Sequence, residues 1–564
     1  MSSVSRKFLA AGAAMGLALL AACDGGGGGG TSGGGLVGPA AAPSPAPTPA
    51  GVTLDDSVRL AQQASFGPTV ALVERIRALG VPGWLDEQFG ATGSTYADLA
   101  TDVRSDSCAA GDTACTTLRF TRTPVAMRFY ADAITAPDQL RQRVAFALSQ
   151  MIVASEAAVR STAGIAAFNQ LFLTNAFGNY RDLLLAVTMN GYMGDYLDMA
   201  DSRRGTPSEN YAREFLQLFS MGPDQLAMDG TPQRDASGGT IPNYTADDIR
   251  EVARALTGWT YARVGNAAAT DNQAIAYAQP MIAVPGRYDS AEKKFLGTTV
   301  AAGASQQASV AAVIDAAFNH GSTPPFVARH LITHLVTPNP SPAYIGRVAA
   351  VFVNNGSGVR GDLKAVVRAI LTDAEARTPQ PSSGGKLKEP VLAMTSLARA
   401  IGVTTDGYVF QVRDATIAQP VMRAPSVFNF YPDDFPLPGS ATLRSPASKL
   451  LTSSTVLRLH NLVYDWTVSG DAGRSEYAAV STIPGSSGSV PVWADWEAFG
   501  DNVDGMVDRI NLLLFANGLT KAQRDALKAA GVAVTIADPK LQARKRAQMM
   551  LYVAGTSPMF LVDR

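Results

Sequence analysis

The sequence predicts a mainly α fold, a large multi-helical globular body with short irregular or β excursions. Three observations carry this. From Thr53 onward, apolar residues recur at three- and four-residue spacing far more often than in strict alternation. Prolines punctuate the pattern: Pro324-Pro325 suits a helix start, and Pro338, Pro340 and Pro342 interrupt the chain before Tyr344. The composition, 46% hydrophobic and 17% charged over 564 residues, is that of a globular chain long enough for one large domain or two to three smaller ones.

In order, the clearest helical segments are 139–154, 180–189 and 192–199, then 311–318, 326–336, 344–353 and 363–371. Each places its apolar residues on one face. Residues 264–289 carry few helix signals and read as loops or a short hairpin. Residues 468–492, rich in Gly, Ser and Thr, read as a flexible insertion, and 493–564 as a C-terminal helical segment packed on the main domain of 52–467.

The first residues read as a targeting device. Arg6 and Lys7 precede an uncharged apolar run, 8–22, that is too short to span a bilayer and fits a secretory signal peptide (1–22). The run ends in Leu20-Ala21-Ala22-Cys23, which resembles a bacterial lipobox. There Cys23 is acylated, typically with palmitate among the chains, and becomes the mature N-terminus. Several acyl chains anchor a protein stably where one does not. Residues 23–51 combine Gly25–Gly30 with Ala-Pro repeats, a tether holding the body off the membrane. The expected location is the cell envelope, lipid-anchored and facing the periplasm or exterior.

Charge excludes one class of partner. Lys plus Arg number 47 against 48 acidic residues, so there is no basic excess for nucleic acid. Cys108 and Cys115 flank Ala-Ala-Gly-Asp-Thr-Ala, and an exported chain permits a disulfide between them; two free thiols or a metal pair are the rival readings.

Two segments have polar faces. In SENYAREFLQLFSMG (208–222), Asn210, Arg213, Glu214 and Gln217 share one helical face. That face is either solvated or lines a pocket, with Glu214 as acid or base and Arg213 orienting it or holding an anion. In NYTADDIREVARALTGWTY (243–261), Thr245 and Asp248 form a capping-box-like start and Gly258 a helix end. Arg250 and Arg254 either join salt bridges or bind an anionic ligand. In PSVFNFYPDDFP (425–436) the aromatic residues plug the core, or Asn429 and Tyr431 face a cleft joined by Lys386, Lys388 and Glu389. His330 and His334 are one helical turn apart, but without HExxH or an obvious third ligand they read as partly exposed helix residues, and no metal or cofactor is expected.

These segments, with RLAQQASFGPT (59–69), RQRVAFALSQ (141–150), NAFGNYRDLL (175–184), KKFLG (293–297), NPSPAYIGRVAAVF (339–352), GDLKAVVRAIL (361–371), KLKEPV (386–391) and the closing SPMFLVDR, resemble the uncharacterised bacterial family catalogued as domain of unknown function 1800. The resemblance implies export, and an exported phosphatase- or sulfatase-like protein as a partner. It departs from the family at Asn190-Gly191, where histidine-proline is common, at Tyr288, where histidine is, and at Ser445-Pro446-Ala447, where proline-glutamate is. The sequence thus leads to a membrane-tethered helical protein that binds or assembles another envelope protein or surface polymer. The alternative is a hydrolase or lyase of an envelope polymer using Glu214 and Arg213, with Asn210, Gln217, Arg250, Arg254 and Asn429 binding.

Overall fold

The periodic segments resolve into helices in a computed structural model that describes residues 52–101, 108–263, 275–380, 384–469 and 477–564. The signal peptide, Cys23 and the tether lie outside the described residues. Helices begin where a side chain answers the free backbone donors of the first turn: Thr53, Ser161, Asn179, Ser341 and Asp362 each accept from an N–H two or three residues on. Thr245 and Asp248 complete a reciprocal capping box at Ala246–Ala255. That helix stops at Leu256, and Gly258 follows with φ of 86°, a backbone that favours glycine. A Cβ there would also lie 2.9 Å from the Tyr288 Cα.

Among the described residues, the β excursions are four antiparallel two-stranded pieces. Trp259–Thr260 pairs with Ile282–Ala283, and Lys293–Phe295 with Thr298–Val300. Lys386–Leu387 pairs with Val562–Asp563 near the chain's end, and Val403–Thr405 with Ser489–Pro491. The last pair changes the reading of 468–492 as a flexible insertion. Residues 470–476 lie outside the described residues, but the remainder is pinned: Asp406 accepts from the Ser486 hydroxyl and from the backbone N–H groups of Ser487 and Gly488.

One apolar cluster runs from Val58 to Leu561 and includes Val503, Met506, Met550 and Phe560 of the C-terminal segment. Cys108 and Cys115 stand at disulfide distance, with Cα atoms 5.7 Å apart.

A buried ion pair ties the irregular stretch after Asp414 to this helical body. The Arg122 guanidinium, at the start of helix Thr123–Thr135, donates to both Asp414 oxygens at 2.8 and 2.7 Å. The Tyr130 hydroxyl and the Val421 N–H donate to the same carboxylate, each at 3.1 Å. Both charges are almost sealed from water, with 8% and 0% side-chain exposure, so removing one strands the other. Arg122→Met is therefore expected to lower unfolding free energy by about 3–5 kcal/mol. Denaturant unfolding of the purified variant checks this; a loss within about 1 kcal/mol would show that the stretch is held by other contacts.

Candidate active site: a histidine–aspartate cluster at a cleft

The site is built on helix Thr323–Leu335, which Pro324 and Pro325 start and which packs against helices Gln139–Met151, Pro342–Val353 and Leu363–Thr372. Burial on so many sides takes in its polar residues too. His330 and His334 are each only 5% exposed, and their rings lie 4.3 Å apart. This corrects the expectation of partly exposed histidines without a third partner. Asp433, from the irregular stretch, reaches both: Oδ2 is 2.6 Å from His330 Nδ1, and Oδ1 is 3.0 Å from His334 Nε2.

The other nitrogen of His330, Nε2, lies 2.8 Å from the Ala147 carbonyl. A carbonyl only accepts, so Nε2 carries a proton, and the carboxylate at Nδ1 favours a second. Burial works against that charge, but Asp433 and the two hydrogen bonds outweigh it and hold His330 above the usual histidine range. His334 is lowered by burial and by the adjacent His330 charge. Burial works against the Asp433 charge as well, yet the two histidines hold its carboxyl well below the usual carboxylate range.

A second polar layer supports the first. The Tyr431 ring stacks on His334 with centroids 6.2 Å apart, and its hydroxyl donates to Glu389 Oε2 at 2.7 Å. Gln419 donates to the same oxygen, and the Asn429 amide donates to Gln150 at 3.2 Å. Behind the cluster, the His334 carbonyl is one of the last-turn acceptors left open by the helix end. It takes Arg143 at 2.9 Å and Lys386 at 3.0 Å. Burial and the Arg143 charge push the Lys386 ammonium down to about 8. Lys388 is buried against Asp563 at 2.8 Å.

The cluster opens onto a cleft of about 410 Å³ lined by Gln217, Phe326, Arg329, Phe428, Asp433 and Arg444, among others. Arg444 donates to the Asp434 carbonyl at 2.8 Å. Arg329 is half-buried and makes no hydrogen bond or ion pair with any described residue. Burial and the Arg444 charge lower its pKa, with the nearby Asp433 and Asp434 charges opposing, so the cleft wall carries a guanidinium that feels two carboxylates but is in direct contact with neither. Phe428, 53% exposed, presents an apolar face at the rim.

A family model described as a protein of unknown function (DUF1800) matches residues 59–562. The chain belongs to this family. The DUF1800 match covers every element that builds the cluster and the cleft. No curated protein and no solved structure matches the chain.

The residues expected to form a site do not come together. Asn210–Glu214 is an α-helical turn, but Phe215–Ser220 winds as a π-helical turn, in which the Ser220 hydroxyl donates to the Phe215 carbonyl at 2.7 Å. Asn210, Arg213 and Glu214 lie in the α-helical part, so the wider turn shifts only Gln217 from their 3.6-residue register. Asn210 points to solvent and donates to Asp198, and Arg213 is exposed and pairs with Glu209. Gln217 alone of the four lines the cleft. Arg250 is exposed beside Asp247, and Arg254 is neutralised by Glu251 and Asp289. Asn429 is buried behind the cleft, so PSVFNFY both plugs the core and presents Tyr431 to the cleft wall. The histidine spacing was visible in sequence, but Asp433 lies 99 residues beyond His334 and carries no local signature.

Glu214 itself is a buried carboxyl whose Oε2 has no hydrogen-bond partner. Burial raises its pKa, with Arg213 opposing weakly. The folded chain therefore keeps this proton to higher pH than the unfolded chain, and stability falls as pH rises through the raised value. Glu214→Gln removes that penalty. Its melting temperature is expected to exceed that of wild type at pH 8, with the gap closing towards about pH 4, where both states hold the proton. Melts across this range that stay parallel would assign the carboxylate a partner.

Proposed function

We propose that the chain is a lipid-anchored bacterial envelope protein that holds an anionic segment of a surface polymer in the cleft beside Arg329. The unpaired guanidinium carries the reading. A half-buried guanidinium with no direct hydrogen-bond partner leaves its donors free for a ligand in the cleft, and arginine suits carboxylate, phosphate and sulfate groups through paired donors. Phe326 and Phe428 give the same cleft apolar surface, and its volume lies in the range of ligand sites. The basic residues, apolar run and lipobox at the N-terminus support export and anchoring at Cys23, and the close Cys108–Cys115 pair suits an oxidising compartment. An exported phosphatase- or sulfatase-like protein as partner remains part of the proposal through the family resemblance.

A second reading, a hydrolase or lyase of such a polymer, has one specific observation in its favour. One imidazole, His330, and the Asp433 carboxylate line the cleft, with His334 behind them on the same carboxylate, where acid–base chemistry reaches a bound chain. In this form the reaction uses His330, His334 and Asp433, and not Glu214 and Arg213.

Arg329→Gln is expected to weaken binding of an anionic polysaccharide probe, such as polygalacturonate, by about 10- to 100-fold, the scale of one charge-assisted hydrogen-bond pair. A neutral dextran should bind equally poorly to both proteins. Titration of full-length protein in detergent micelles measures it, and equal affinity of variant and wild type for the anionic probe would overturn the proposal. Cleavage of the probe that is lost in Asp433→Asn would select the enzyme reading.

A further inference from the structure

We propose that His330, His334 and Asp433 form a binding site for one divalent transition-metal ion of the zinc class, with its open coordination side towards the cleft. The ligand atoms already converge, since a nitrogen from each ring and a carboxylate oxygen all lie within 4.8 Å of one another. Around an ion bound at about 2.0–2.1 Å, tetrahedral ligands stand roughly 3.3 Å apart. The contacts of 2.6 and 3.0 Å from Asp433 to the two rings are slightly tighter, so an ion entering between them must push the carboxylate outward by a few tenths of an ångström. Asp433 is the member able to yield. Its side chain is 32% exposed on irregular backbone, whereas both rings are locked in the core.

The surroundings are those of a ligand set. Metal-bound histidines commonly donate their second N–H to a carbonyl, which fixes the tautomer and frees the other nitrogen. His330 Nε2 makes that bond to Ala147, and Nδ1 is directed at the shared point, where an entering ion displaces the proton that the Asp433 carboxylate favours there. The His334 ring is fixed by stacking on Tyr431, which Glu389 holds in turn. Two imidazoles with one carboxylate favour zinc, cobalt, nickel or iron(II) over calcium or magnesium, which take oxygen ligands. Three protein ligands leave positions for solvent or ligand, as in open metal sites and unlike closed structural ones. Those positions face the cleft that Asp433 and His330 line, within reach of whatever Arg329 holds.

The test needs no polymer, so it stands apart from the proposal for the cleft. Full-length protein in detergent is stripped with chelator and dialysed against Zn²⁺ or Co²⁺. The expected result is one ion per chain and a visible Co²⁺ spectrum of four- or five-coordinate character. At about 100-fold excess over the dissociation constant, Zn²⁺ should raise the melting temperature by about 2–3 °C. Asp433→Asn and His334→Gln should each weaken uptake by at least about 10-fold. Arg329→Gln should take up metal as wild type does while losing the anionic probe, which separates failure of the metal site from failure of the polymer reading. If His334→Gln does not fold by circular dichroism, the wild-type Co²⁺ spectrum and the part-exposed Asp433→Asn decide. Folded wild type that takes up neither ion, or uptake and Zn²⁺ stabilisation unchanged in Asp433→Asn, would overturn the site.

Discussion

Two histidines one turn apart cannot be sunk into an apolar core without a group to answer them, and in this chain that group is Asp433. A buried imidazole pair left alone would cost free energy for every unmet nitrogen, and more for any proton it carried. Here a carboxylate meets both rings, and it is brought from a stretch nearly a hundred residues away in sequence. The path of residues 415–445 is therefore dictated by the core helix beneath it. The chain enters at Asp414, clamped by Arg122, turns through Asn429 at φ 60°, buries Tyr431 and sets Asp433 on the rings. The cleft is the space left between this stretch and helix Thr323–Leu335, with the turn after the π-helical segment at its side.

The charges behind the cluster follow the same logic. The His334 carbonyl lies at a helix C-terminus, where the dipole is negative, and Arg143 and Lys386 converge on it. Lys386 belongs to the strand that pairs with Val562–Asp563, and its neighbour Lys388 is neutralised by Asp563. The final residues of the chain thus help carry the electrostatic load of the cluster, which is a physical reason for the C-terminal segment to share one apolar core with the body. Glu389, at the positive N-terminus of helix Pro390–Ile401, completes the set by holding Tyr431 and Gln419.

What could be read from sequence divides along the range of the interactions. Helix existence and most boundaries follow from local rules: Thr245 and Asp248 cap as expected, and Pro324 and Pro325 open a helix. The Cys108–Cys115 approach is local as well. In 208–222, Asn210 and Arg213 lie on a solvated face beside Asp198 and Glu209, while the placement of Gln217 could not be read because wheel geometry assumes 3.6 residues per turn throughout. The π-helical turn at Phe215 violates that, and no residue in FLQLFS announces it. Arg250 and Arg254 were legible as helix-face cations, and they found carboxylates nearby, the commonest fate of such residues. The histidine pair was visible as a spacing, but its meaning depended on burial and on Asp433, both set by tertiary contacts.

The division of labour between the two cleft walls bears on how such a site would work. One wall is a helix buried on nearly all sides, and its rings have little room to move. The other is irregular backbone held at separate points, by Arg122 through Asp414, by Glu389 through Tyr431, and by Asn339 through the Arg444 backbone. A ligand or ion meeting His330, His334 and Asp433 together therefore adjusts the second wall against a fixed first one. Arg329 sits on the rigid helix one residue before His330, so an anion held there keeps its position relative to the imidazoles whatever the loop does. Placing the cation and the nitrogen bases on one buried helix, and the adjustable carboxylate on the opposite loop, fixes orientation on one side and leaves closure to the other.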